Sequence, residues 1–167
     1  MSEIVALDTA YFSRMAVTAG VLIKEWIAPL PSDTFRISSE VDSDYISGQF
    51  YKRELPCILR FLDQAPWQPD LIIIDGYVFL ARDRMGLGMH LYEAIDKRIP
   101  IVGIAKKAFK HNDTALPILR GKSKRPLYIT AAGITVQEAA ENVKAMSGKN
   151  RIPNILKIVD NLSKTPA

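Results

Sequence analysis

The run Leu71-Ile72-Ile73-Ile74-Asp75-Gly76 decides the fold. It is short, continuously apolar and rich in isoleucine, and it stops at an acid and a glycine. Such a run reads as a strand covered on both faces, as in a parallel sheet. Just upstream, Leu55, Ile58, Leu59 and Leu62 fall at i, i+3, i+4 and i+7, so a helix with one apolar face is expected from Tyr51 onward. Pro56 is acceptable near the start of that helix, and Pro66 and Pro69 close it. Downstream, residues 85–99 read as a helix with Leu87, Leu91 and Ile95 on one side, and residues 101–105 as another buried strand. Asp75 and Lys106 therefore both sit at the carboxyl ends of apolar strands, where open α/β sheets place their sites.

Toward the N-terminus the pattern changes. Residues 3–11 read as a strand containing Ile4-Val5-Ala6-Leu7-Asp8, and residues 15–23 form a second apolar run. Ser13 in the short connection favours an antiparallel hairpin. Pro29 and Pro31 break the chain, and Phe35, Ile37, Ser39 and Val41 alternate as in a third strand. Toward the C-terminus, residues 107–124 read as a basic loop and 127–130 as a strand. Thr135 and Glu138 form a candidate capping box for a helix to about Met146. A last helix is expected over residues 152–162, with Pro153 in its first turn. No repeat or linker interrupts the chain, so one domain is expected over residues 1–167. Three antiparallel strands followed by parallel βαβ units match a ribonuclease H-like mixed α/β sheet with flanking helices.

Composition narrows the classes. The chain has 167 residues, 48% of them apolar, enough for a sizeable core. Its formal charge is +4 and its pI about 9.2, compatible with a polyanionic partner. Cys57 is the single cysteine, so no internal disulfide forms, and its apolar context makes it a small buried hydrophobe. With no cysteine pairs and only His90 and His111, a structural zinc site is disfavoured. Trp26 and Trp67 read as packing residues, and His90 as structural. No apolar run approaches the roughly 18 residues of a membrane span. Glu3 and the lack of a basic leader argue against a signal peptide, so a cytoplasmic protein with no membrane association is expected.

Asp8, Asp75 and Glu54 carry the chemistry. A lone carboxylate among aliphatic neighbours is costly unless a cation or hydrogen bonds compensate it. Two acids at strand positions and a third between them in sequence point to one shared cation. Each has a plainer reading: Asp8 bonded to backbone amides, Glu54 at a helix N-terminus favoured by the macrodipole, Asp75-Gly76 as a simple turn. Lys106 reads equally as a solvated strand-end lysine, and the basic stretch from Lys106 to Arg125 as a solvated face or a phosphate-tracking one.

The residues resemble the endonuclease V family. Leu7-Asp8-Thr9-Ala10-Tyr11 is similar to its Asp-x-x-Tyr strand, and Tyr45-Ile46-Ser47-Gly48 with Phe50 and Arg53-Glu54 to its Tyr-x-Pro-Gly…Phe-Arg-Glu block. Pro69-Asp70-Leu71 through Asp75-Gly76 resembles its Pro-Asp…Asp-Gly strand, and Gly103-Ile104-Ala105-Lys106 its Gly-Val-Ala-Lys strand. Arg125-Pro126-Leu127-Tyr128-Ile129 and Arg151-Ile152-Pro153 resemble its last segments. The resemblance implies hydrolysis of a phosphodiester near a deaminated base, chiefly inosine, in DNA or RNA. It implies Mg²⁺, with Mn²⁺ as an alternative, held by Asp8, Glu54 and Asp75. Lys106 then faces the phosphate, Tyr45 is the wedge filling the gap left by the displaced base, and Gly48 and Gly76 let backbone approach that base.

The chain also departs from the pattern. Asp44-Tyr45-Ile46-Ser47 stands where the family has Pro-Tyr-x-Pro, and Ala132-Gly133 where it has a late Gly-His, so a histidine expected near the metal is absent. These departures keep a second reading open, a catalytically impaired nucleic-acid-binding homologue. A third is an interaction domain on the same scaffold. The sequence is silent on oligomeric state.

Overall fold

The computed structural model describes residues 2–41 and 50–165, the side chain of Phe50 excepted. The N-terminal meander forms as expected: β1 (Ile4–Phe12), β2 (Met15–Ile23) and β3 (Asp33–Glu40) pair antiparallel in sequence order. Ser13 turns the first hairpin with a positive φ of 56°. After α1 (Phe50–Gln64), β4 (Leu71–Asp75) returns to lie parallel against β1, and after α2 (Leu87–Ala94), β7 (Ile101–Ala105) lies parallel against β4. A small hairpin, β5 (Phe79–Ala81) with β6 (Arg84–Met85), precedes α2. Two strands, β8 (Leu116–Ile118) and β9 (Leu127–Ala132), add antiparallel to β7, and α3 (Val136–Ala145) and α4 (Asn154–Lys164) follow. The seven-stranded sheet runs β3-β2-β1-β4-β7-β9-β8. This is the expected ribonuclease H-like mixed sheet.

The period-two alternation of the strands builds two cores. Ile4, Ala6, Leu71 and Ile73 meet α3 and α4 through Val143, Ile155 and Val159. Val5, Leu7, Ile72 and Ile74 meet α1 and α2 through Ile58, Phe61, Leu87 and Leu91. That two-sided burial is why the β4 run is apolar throughout. Trp67 is buried beside Phe61, and its indole N–H donates to Asp33 Oδ2 at 2.9 Å. Trp26 packs half-buried against the α3/α4 core, so both tryptophans are packing residues. Cys57 is a buried free thiol whose Sγ donates to the Arg53 carbonyl, and burial pushes that thiol up. Among the described residues no helix is long and apolar enough to cross a membrane.

Some boundaries differ from the sequence reading. The helix expected over 85–99 begins at Leu87 and ends at Ala94, because Asp96 and Lys97 both adopt φ of 57° and reverse the chain. Pro56 lies inside α1, not near its start, because the helix begins at Phe50. Residues 107–124 are not wholly loop. β8 escaped notice because it is a three-residue edge strand containing Pro117, which cannot donate to a ladder. Arg120 is not part of any solvated basic face. It is 6% exposed and donates to the carbonyls of Met146, Gly148, Asn150 and Arg151, clamping the turn that launches α4.

Candidate acidic site

Parallel pairing of β1 and β4 sets the site. The register matches Ile4 with Leu71, Val5 with Ile72 and Ala6 with Ile73. Carried two residues on, that offset brings Asp8 level with Asp75. Alternation assigns Asp8 to the face of Ile4 and Ala6, and Asp75 to the face of Leu71 and Ile73, which is the α4 face in both cases. Glu54 arrives from the opposite side. On α1 it precedes Ile58 by one turn and Phe61 by two, on the stripe that packs against the sheet, and it is 6% exposed.

These acids feel one another. Burial, then the charge of Asp75, then a hydrogen bond with Asp160 push the Asp8 carboxyl up to about 7. Burial, then Asp8 and Asp75, push Glu54 up to about 8. Like charges at a shared low-dielectric site disfavour ionisation of all of them. Asp160, on α4, is the residue that sequence reasoning missed. Burial pushes it up, but hydrogen bonds with Lys164 and Asp8 outweigh that and hold it below the ordinary carboxylate range. Lys164 Nζ donates to Asp160 Oδ2 at 2.9 Å. The signal for Asp160 was available: Ile152, Leu156 and Val159 mark a buried helical stripe, and Asp160 stands at i+4 from Leu156, where an apolar residue belongs.

Lys106, just past β7, pairs with Asp75 Oδ2 at 3.4 Å. Both side chains are about 40% exposed, 41% and 43%, so this pair adds little stability and leaves Lys106 free to re-aim. Arg151 donates to the Lys106 and Pro126 carbonyls and fixes the strand end. A cavity of ≈ 20 Å³ lies under Asp8, Asp75 and Lys106, floored by Ile152, Leu156 and Val159. It has room for about one water. Among the described residues, no three His, Cys, Asp or Glu side chains are gathered as a formed metal cage. The acids are electrostatically one cluster but are not drawn in around an ion.

The turn after Asp75 is shaped by two glycines. Gly76 takes φ +134°, which side-chain-bearing residues rarely adopt. Across the sheet, a Cβ on Gly103 would stand 2.5 Å from the Gly76 carbonyl and 2.8 Å from Thr130 Oγ1. The bare Gly103 lets the turn fold back, and the buried Val78 N–H then donates to Thr130 Oγ1 at 2.8 Å. Gly76 thus turns the chain directly after Asp75. Tyr45 and Gly48 lie outside the described residues. Tyr11 stacks under Arg53, with the guanidinium 3.6 Å from the ring centroid.

Ala132 pairs with Ile101, and Tyr128 with Ala105, so Ala132-Gly133 lies at the opposite end of β7 from Lys106. A histidine at either position would stand away from the acids. His90 is structural as expected, stacked on Tyr51 with centroids 3.7 Å apart, and burial pushes it down.

Known proteins share this fold. The chain is 26% identical to endonuclease V of Streptomyces avermitilis over 184 aligned residues, covering 97% of this chain and 79% of that protein. The crystal structure of a Streptomyces avermitilis endonuclease V superposes with a TM-score of 0.76 at 26% identity, covering 98% of this chain and 80% of that one. That of Ciona intestinalis endonuclease V, bound to a 24mer DNA containing an inosine followed by a ribo-adenosine, superposes at 0.79 with 20% identity, covering 98% and 84%. The endonuclease V family model matches residues 1–119, which span β1 through β8 and hold Asp8, Glu54, Asp75 and Lys106. The chain belongs to the endonuclease V family.

Proposed function

We propose that this chain is a divalent-metal-dependent nuclease that hydrolyses a phosphodiester near a deaminated base, inosine above all, in DNA or RNA. The observation that carries the reading is the convergence of acids on Asp8: Asp75 stands level with it at the carboxyl ends of β1 and β4, the buried Glu54 meets it from α1, and Asp160 reaches it from α4. Burial and the neighbouring acids push Asp8 up to about 7 and Glu54 up to about 8, so the ionised forms of both would gain from a bound cation. Hard carboxylate oxygens suit Mg²⁺ or Mn²⁺. Asp8, Glu54 and Asp75 would hold the ion, with Asp160 able to join them. Bound there, it would supply an activated water and neutralise charge on the scissile phosphate.

The chain's own groups do the rest. Asp8 and Glu54 would have to be ionised to hold a cation, which would couple binding to pH. Lys106, once Asp75 is otherwise engaged, offers a mobile point charge to the phosphate. Asp160 positions Asp8 through their hydrogen bond. Gly76, with open space where a Cβ would lie, leaves backbone accessible to a base. The Ciona complex with inosine-containing DNA supports the substrate class by relationship.

The test is cleavage of end-labelled inosine-containing DNA and RNA oligonucleotides with Mg²⁺ or Mn²⁺, beside matched adenosine controls. Cleavage at inosine that Asp75→Asn abolishes is expected. Folded protein that cuts neither substrate with either metal overturns the reading. Salt-dependent binding without turnover would then leave the impaired-homologue reading in its place.

A further inference from the structure

We propose that the open cavity beside Lys107 receives an unpaired nucleobase of the bound strand, stacked against Phe109 and Tyr77; this rests on the nucleic-acid reading above. The cavity measures ≈ 660 Å³ and is walled by Tyr77, Phe109, Tyr128, Arg82, Asp83 and Asp113, among others. Its volume lies in the range of roughly 300–1,000 Å³ typical of small-molecule sites. Tyr77 stands two residues past Asp75, and its hydroxyl donates to the Lys107 carbonyl at 2.5 Å, so the ring is tied to the segment that carries Lys106. Phe109 meets that ring edge-on, with centroids 6.1 Å apart and planes at 62°. Phe109 remains 37% exposed in a loop that is otherwise polar, and the Arg84 guanidinium lies 5.5 Å from its ring centroid.

Charge decides what enters. Asp83 and Asp113 line the cavity, and Arg82 pairs with Asp113 at 3.3 Å on its rim. A phosphate would meet two carboxylates against one arginine that is already engaged. The exposed Lys106, Lys107 and Lys110 lie outside that wall and offer phosphates a better track. A planar heterocycle with N–H groups suits the interior: aromatic faces to stack on, carboxylates to accept its hydrogens. Stacking on rings tolerates every base, so this subsite holds a strand and does not by itself read its sequence. A base engaged in pairing could not enter, which favours single-stranded or frayed substrate.

The experiment uses the full chain and single-stranded inosine oligonucleotides in EDTA, so that binding is read without turnover. The fluorescent base 2-aminopurine is moved one position at a time through the nucleotides flanking inosine. One position is expected to quench on binding, and Phe109→Ala to abolish that quenching and weaken binding about tenfold. An abasic nucleotide at that position should weaken wild-type binding equally and Phe109→Ala hardly further, as two changes to one contact do. Phe109→Trp should retain both signals, and circular dichroism checks that each variant folds. Unchanged affinity and quenching in Phe109→Ala at every position overturn the proposal, as do losses from the two changes that simply add. Protein that cleaves at inosine yet ignores Phe109→Ala sinks this subsite alone. Protein that binds no oligonucleotide sinks it together with the nucleic-acid reading.

Discussion

Replacing Glu54 with glutamine should stabilise the metal-free protein at alkaline pH while weakening its response to metal. Glu54 is 6% exposed and pushed up to about 8 from an ordinary 4.5. The folded state therefore keeps a proton that the unfolded chain releases. Below about pH 4.5 both states hold it and pH changes nothing. Between about 4.5 and 8 the unfolded chain ionises freely while the folded one resists, so stability falls as pH rises. Above about 8 the whole penalty is present. At about 1.4 kcal/mol per tenfold, the gap between 4.5 and about 8 sets a ceiling of about 5 kcal/mol. Local relaxation, water entry and the burial of a neutral amide reduce this, and about 2 kcal/mol is expected to survive.

For a chain of this size that is roughly 4–8 °C in Tm. Thermal melts in EDTA should show Glu54→Gln above wild type at pH 8, with the difference shrinking toward zero at pH 5. Adding Mg²⁺ should raise the wild-type Tm by mass action and the variant's far less. A variant that melts below wild type in EDTA at pH 8, or whose effect is the same at both pH values, would show that Glu54 is already satisfied within the protein. The cation argument would then lose its main support.

Three further outcomes follow from the same geometry. Mg²⁺ affinity, measured by titration calorimetry, should rise about tenfold or more from pH 6 to pH 8, because Asp8 near 7 and Glu54 near 8 must both shed protons to hold an ion; a flat profile would contradict this. Asp160→Asn should lower Mg²⁺ affinity or cleavage rate by about 10- to 100-fold while thermal melts show a folded protein, since it removes the acceptor that orients Asp8. Gly103→Ala should cost about 1–3 kcal/mol in urea melts and reduce cleavage further than that loss explains, because its Cβ would stand 2.5 Å from the Gly76 carbonyl and push the turn away from Asp75.

The sequence made much of this legible, and the reasons are local. Asp8 and Asp75 end apolar runs whose length and continuity dictate two-sided burial, so their neighbourhood could be read without coordinates. The stripe Leu55, Ile58, Leu59 and Leu62 implied a helix with one apolar face, and the structure buries Glu54 on the side of Ile58. What failed to show was whatever depends on distant pairing. The β8 strand carries too few residues to declare itself, and the reversal at Asp96-Lys97 has no glycine to mark it. Arg120 looked like one more cation in a basic stretch. Only the arrival of the turn after α3 turns it into a clamp on four carbonyls.

Asp160 and Ala132-Gly133 show the two sides of one difficulty. Reading the last third of the chain by motif placed a missing site residue in β9, at the wrong end of the sheet. Reading the same region by helical period would have found an acid intruding on the buried stripe of α4. A charge in an apolar stripe is costly wherever it sits, so it persists where something answers it. Here Lys164, one turn on, answers it, and Asp8, two residues beyond the last pair in the β1–β4 ladder, shares its other side. Because α4 packs along β1, the face that buries Ile155 and Val159 also delivers Asp160 to the strand end. Core packing and site assembly are thus one event: a change that loosened Arg120's hold on the turn before α4 would shift Asp160 away from Asp8 without touching either acid.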